Sequence, residues 1–258
     1  YEIARRLIGI KVRIEGDEWG DYDDSLSIED LEYHDLIDID YKKVIIDGLY
    51  LAYRANDLAD RAEALYRMIE NPHRSDITLE MVMQNGEELT DISEFLQVWT
   101  VYLGRITTSY AEKLLKESLE LTGDPEVLLG NARQLYELHP GLYEQYLDFV
   151  WNTEDSKKLF FVGNEALEKI HAKYVVRSRI AKRLSLLALE EQKKDEAEKY
   201  WLEAFRSETT VTNYMRLFVE SSDSHVFSEQ IKRIYHSMYT KIGSSISMRA
   251  QSGELKIN

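Results

Sequence analysis

Asp21, Asp23, Ser25, Ser27, Glu29 and Glu32 fall at the oxygen-ligand positions of a twelve-residue calcium loop, with Ile28 at its apolar position. Hard cations favour such oxygens, but the place that needs glycine for the sharp turn holds Leu26, and no helix leads in from residues 16–20. The weak metal candidates are thus Asp21, Asp23, Ser25 and Glu32. The competing reading is a helix-capped loop with solvated carboxylates. Asp30, His34 and Asp38 recur every fourth residue, which on a helix aligns three ligands but offers no fourth.

The most unusual local feature is basic. Lys169, Lys173, Arg177, Arg179, Lys182 and Arg183 cluster in a chain whose net charge is −15. They serve either to neutralise neighbouring acidic helices or to seat an acidic peptide or phosphate. Aromatic residues do not interleave with the cluster and the overall field repels phosphate, which disfavours nucleic acid as the partner. Catalytic signatures are missing: there is no H-E-x-x-H, G-x-S-x-G, G-x-x-x-x-G-K-[ST] or G-x-G-x-x-G. No catalytic residue is assigned, no cofactor is implied, and the chain reads as a non-enzyme. Cys is absent, which removes disulfides, thiolate nucleophiles and thiolate metal sites.

The elements that must carry these residues are helical. Three Pro and twelve Gly in 258 residues leave few breakers, and 44% hydrophobic with 31% charged residues is the make-up of a folded chain. No apolar run approaches the roughly 18 residues a membrane span needs, and the first residues do not read as a signal peptide. A cytoplasmic location is expected, with no membrane partner. The start at Tyr1 inside a structured-looking segment suggests a piece of a longer protein.

Residues 1–14 fit helix or strand, and helix is preferred because a strand has no evident partner. An acidic loop follows at 15–26, then a helix from an N-cap at Ser27, with Asp30 three residues on, to about Asp38. Helices are expected in pairs at 41–54 with 57–70, 91–104 with 108–121, 140–152 with 155–170, and 174–192 with 195–207. Asp57, Ser109 and Asp155 are their candidate N-caps, and Pro140 suits a first turn. Further helices are expected at 77–84, where Ile77, Leu79, Met81 and Met83 also alternate as a hairpin would, and at 125–138, 210–221 and 224–240. The expected division is an N-terminal region 1–40, a helical-repeat domain 41–241 and a weakly structured tail 242–258.

One spacing returns four times. From Ile46 it picks Leu49, Tyr50, Tyr53, Ala62, Tyr66 and Ile69; from Phe95, Val98, Trp99, Tyr102, Ala111, Leu115 and Ser118. From Tyr143 it picks Tyr146, Leu147, Val150, Leu159, Gly163 and Ala166; from Ala181, Leu184, Ser185, Ala188, Ala197, Trp201 and Ala204. Such a unit is a helical hairpin that cannot bury its apolar face alone, so neighbours must stack. The pattern resembles the tetratricopeptide repeat family, best in the unit from Ala181. It departs from the family in its unit spacings and in Tyr50, Trp99 and Leu147, where the family prefers a small residue. The repeat-core set is Leu49, Tyr53, Ala62, Tyr66, Trp99, Ala111, Leu184, Ala188, Ala197, Trp201 and Ala204.

The resemblance implies an all-α fold, a right-handed α-solenoid of antiparallel hairpins with linker helices inserted. It also implies a scaffold that holds a protein or peptide in the groove lined by first helices. Asp47 and Leu51 stand where one version of the family grips a peptide C-terminal carboxylate, and they cannot do that. The expected function is a non-enzymatic scaffold whose partner is a protein or peptide of acidic character. The alternative is the sensor half of a transcription regulator whose DNA-binding segment precedes Tyr1.

Overall fold

Apolar residues three and four positions apart build the helices of this chain, and the same residues are where helices meet. The computed structural model describes residues 6, 10–13, 25–70 and 76–220. The helix expected at 224–240 and the tail at 242–258 lie outside the described residues. Among those described, twelve helices accompany a single two-stranded ribbon, so the fold is all-α. The chain divides into two compact units, Tyr1–Leu142 and Tyr143–Asn258.

In the first unit the helix expected over 1–14 gives way to a strand at Lys11–Arg13; Arg6 is helical, and residues 1–5, 7–9 and 14 lie outside the described residues. β1 (Lys11–Arg13) pairs antiparallel with β2 (Ser25–Ser27), setting Val12 opposite Leu26. Its partner is the end of the acidic loop. α1 (Ile28–Tyr33) starts in a full capping box: the Ser27 hydroxyl accepts from the Asp30 N–H, and the Asp30 carboxylate accepts from the Ser27 N–H at 2.8 Å. It stops five residues short of Asp38. The Leu36 N–H donates to Leu31 O and the Asp35 N–H to Glu32 O, a Schellman closure with Asp35 left-handed at φ 55°. His34 and Asp38 are therefore off the helix, and the face expected to carry Asp30, His34 and Asp38 does not form.

Four longer helices and two shorter ones complete this unit. α2 (Tyr41–Ala55) and α3 (Leu58–Ile69) form a hairpin, as do α5 (Ile92–Leu103) and α6 (Ser109–Thr122). Asp40 caps α2 by accepting the Lys43 N–H, while Asp57 holds the cap position of α3 without a side-chain bond. Thr108, not Ser109, caps α6; its hydroxyl accepts from the Ala111 N–H, and Ser109 is already helical. The rival strand at 77–84 is a helix, α4 (Leu79–Met83), capped by Thr78 and by Glu117 of α6, which accepts the N–H groups of Leu79 and Glu80. α7 (Pro125–Leu135) has Asp124 as its cap and Pro125 in its first turn, where a missing N–H costs nothing.

Aromatic rings fill the seam between the two hairpins. Tyr53 meets Phe95 edge-on at 4.9 Å, Phe95 stacks on Trp99 at 5.6 Å, and Tyr66 leans on both Trp99 and Tyr102. Arg61, 8% exposed, lays its guanidinium 4.0 Å over the Tyr53 ring. It also pairs with Asp91 at 2.8 Å and donates to Asn56 O, and the Tyr53 hydroxyl reaches the same Asp91. A buried cation is tolerable here because every face of it is met.

In the second unit α8 (Gly141–Val150), which begins just before the division, leads to α9 (Ser156–Lys169), α10 (Val175–Glu190), α11 (Lys194–Ser207) and α12 (Val211–Glu220). Asp155 caps α9 by accepting the Lys158 N–H. Gly163 allows α9 and α10 to close up: a Cβ there would stand 2.5 Å from the Leu184 side chain. At the repeated offsets of both units no residue is exposed, and all eleven repeat-core residues are buried. Trp201 lies beside Ala197 and Ala204 at 3% exposure and clusters with Leu202, Phe205 and the partly buried Tyr214 of α12.

Because Trp201 joins α11 to α12, Trp201→Ala is expected to open a cavity costing about 3–5 kcal/mol. Urea unfolding monitored by far-ultraviolet circular dichroism measures it. A loss below about 1 kcal/mol, the size of ordinary surface substitutions, would contradict this packing.

Candidate interaction surface

The four cations of the basic cluster that lie on α10 point in two directions, because Arg179 and Arg183 sit one turn apart on one stripe while Arg177 and Lys182 face the seam with α11 and α12. Each cation meets carboxylates one or more elements away. The Arg179 guanidinium donates from Nε and Nη2 to both oxygens of Glu144 on α8, at 2.6 and 2.7 Å. Arg183 pairs with Asp148, one turn further along α8, and its guanidinium lies 6.0 Å from the centre of the Trp151 ring. Both rungs run in the same chain direction, so α8 and α10 lie parallel with a 35-residue offset.

On the other side Arg177 joins three helices. It donates to Leu167 O and Ile170 O at the C-terminal end of α9, where unsatisfied carbonyls concentrate negative partial charge, and to Glu203 of α11 at 2.7 Å. Burial pushes the Glu203 carboxyl up, but hydrogen bonds from Arg177 and Arg206 outweigh it and hold the group below its ordinary range. Lys182 pairs with Glu208 at 2.7 Å, and Ser178 and Asn213 of α12 donate to the same carboxylate. Those bonds, led by the one from Lys182, keep Glu208 low.

The remaining two cations are further apart. Lys169 ends α9 in an i, i+4 pair with Glu165, which also accepts from the Tyr143 hydroxyl of α8. Lys173 lies in the loop before α10 with its ammonium 4.9 Å from the Tyr174 ring centre. The structure therefore brings Arg177, Arg179, Lys182 and Arg183 together on α10 and leaves Lys169 and Lys173 beside it.

Their acidic partners Glu144, Asp148, Glu203 and Glu208 were not singled out from the sequence. The signal was present: Glu144 to Arg179 and Asp148 to Arg183 are opposite charges at one common separation of 35 residues. At either end of the charges, the outward stripe of α10 carries Val175 at 45% and Leu186 at 49% exposure. Val175, Arg179, Arg183 and Leu186 follow one another at helical spacing along that stripe.

Asp21 and Asp23 lie outside the described residues. Ser25 is in β2, and the Glu32 carboxylate accepts the Tyr41 N–H at 3.1 Å. Among the described residues no group of three or more His, Asp and Glu side chains is placed to hold a metal. None of their helices is long and apolar enough to cross a membrane. Set against family models, curated proteins and solved structures, the chain matches none.

Arg177→Ala removes a side chain that bridges α9, α10 and α11 and leaves Glu203 partly buried without that partner. An unfolding free energy lower by about 2–4 kcal/mol is expected, with incomplete rescue by Lys, which lacks the fork. The lowered Glu203 group contributes stability that is full above its ordinary value of 4.5 and lost as pH falls through the folded value. The Ala variant should therefore lose less stability between neutral and acid pH than the wild type. Urea titrations at several pH values measure both effects, and parallel pH profiles would contradict the assignment.

Proposed function

We propose that this chain is a non-enzymatic helical-repeat scaffold that binds a protein or peptide partner, and that the outward stripe of α10 with the adjoining edge of α8 is its seat. The observation that carries the reading is the parallel placement of α8 and α10 with partners 35 residues apart. Asn164 and Tyr200, joined at 3.0 Å between α9 and α11, add an offset of 36, and Ser178 with Asn213 adds another of 35. First helix beside first helix and second beside second is the stacking that an α-solenoid of tetratricopeptide-like hairpins requires.

A partner on this seat has two things to hold. Val175 and Leu186 supply apolar contact at the ends of the stripe, and Arg179 and Arg183 supply planar cations between them. Exposed ion pairs contribute only about 0–1 kcal/mol, so a peptide carboxylate can take over Arg183 from Asp148 at small cost, while Arg179 stays on the largely covered Glu144 and adds its charge to the seat. Acidic peptides with flanking apolar residues fit that chemistry, and Arg forks favour carboxylates geometrically.

The test is selection of peptides from a displayed random library on the intact chain, followed by titration of the selected peptides. Micromolar binding that weakens about tenfold or more in Val175→Asp/Leu186→Asp is expected, a change of about 1.4 kcal/mol or more. Selected peptides that bind the double variant as tightly as the wild type would remove this seat. Failure to select any peptide would count against the scaffold reading itself.

A further inference from the structure

We infer that the end of α1 and the turn after it form a docking surface for a basic, apolar-bearing segment of a partner protein. Tyr33, Leu36 and Ile39 stand 83%, 60% and 41% exposed within seven residues. The Schellman closure produces this display. With Asp35 in the left-handed region, the chain reverses after α1, and Leu36 takes the position whose side chain ordinarily packs back on the helix. Here it stays mostly in solvent. Large apolar side chains kept exposed at such spacing mark a contact surface more often than scattered single ones do.

Charge decides what fits. Tyr1–Leu142 holds 30 acidic and 14 basic side chains, a net −16, whereas the whole chain carries −15. Around the apolar triad, Glu32 and Asp40 are committed to the backbone N–H groups of Tyr41 and Lys43. Asp35 and Asp38 join no ion pair among the described residues and remain to face a ligand. A second copy of this chain would bring −15 against the same surface. The chain's own residues 14–24 hold Glu15, Asp17, Glu18, Asp21, Asp23 and Asp24 with no Lys or Arg. Like charge disfavours both as occupants, whereas a segment of Lys and Arg interleaved with Leu or Phe is steered in by the field and anchored by the triad. This surface belongs to the other unit from the α10 stripe and does not rest on that reading.

The probe is a labelled amphipathic Lys/Leu peptide, with a Glu/Leu peptide of the same pattern as its counterpart, titrated by fluorescence anisotropy against the full chain. Saturable binding of the Lys/Leu peptide is expected, with a Kd raised about tenfold in Tyr33→Ser/Leu36→Ser/Ile39→Ser and raised again as added salt shortens the screening length. Val101→Ser, which removes a 58%-exposed apolar side chain elsewhere in the same unit, should leave the Kd unchanged. Equal binding to the triple variant would mean that the peptide adheres to net charge alone, and equal binding of the Glu/Leu peptide would remove the charge argument. A wild-type dimer in sedimentation that is lost in the triple variant would make a second copy the occupant. Each of these three results overturns the proposal.

Discussion

Arg177 holds the second unit at the place where a helical hairpin is weakest. A helix ends with carbonyls that have no partner within it, and α9 ends inside the packing of α10 and α11, where water is scarce. One guanidinium answers the carbonyls of Leu167 and Ile170 from Nη1 and gives a bond from Nη2 to Glu203. Without a fixed end to α9, the close approach of Gly163 to Leu184 has no anchor. The first unit uses the same device. Arg61 donates to Asn56 O at the end of α2 and to Asp91 at the start of α5, with the Tyr53 ring beneath it. In both units an arginine beside a helix C-terminus also reaches a carboxylate on another helix, so each closes a backbone end and sets a packing distance at once.

The basic cluster gains its meaning from this. Its charges tie α10 to α8 on one side and to α9, α11 and α12 on the other, and this accounts for a local excess of cations in an acidic chain. The pairs differ in depth. Glu203 and Arg177 are mostly withdrawn from solvent, whereas Arg179 is half exposed over a Glu144 that is largely covered. Screening by water makes the Arg183–Asp148 pair, open at both ends, exchangeable and the covered ones structural. The same sequence feature thus serves cohesion on one face of α10 and leaves recognition open on the other.

Most helices were legible because their apolar period is strong, and two of the caps read from the sequence are conventional: Ser27 with Asp30, and Asp155. The misreadings share a cause. The strand at Lys11–Arg13 depends on a partner fourteen residues downstream, and the early stop of α1 depends on Asp35 adopting a conformation that favours glycine. Ser109 looked like a cap because it precedes an apolar run, but Thr108 reaches the Ala111 N–H and also meets the Tyr66 hydroxyl. Of the candidate seat, the cations were visible as a cluster. Their carboxylates were not, since they lie 26 to 35 residues away and only a known stacking offset would single them out.

That offset carries the account. A chain with no native Cys makes it directly measurable, because two introduced thiols are the only ones present. In Asp148→Cys/Arg183→Cys the thiols replace two side chains that touch across α8 and α10. A short bis-maleimide should join them within one molecule, giving a single cross-linked peptide pair by mass spectrometry at protein concentrations too low for dimers. The matched pair Asp148→Cys/Lys199→Cys, with Lys199 on α11, should stay unjoined. Failure of the first pair to cross-link, or equal cross-linking of both, would contradict the parallel stacking of the hairpins.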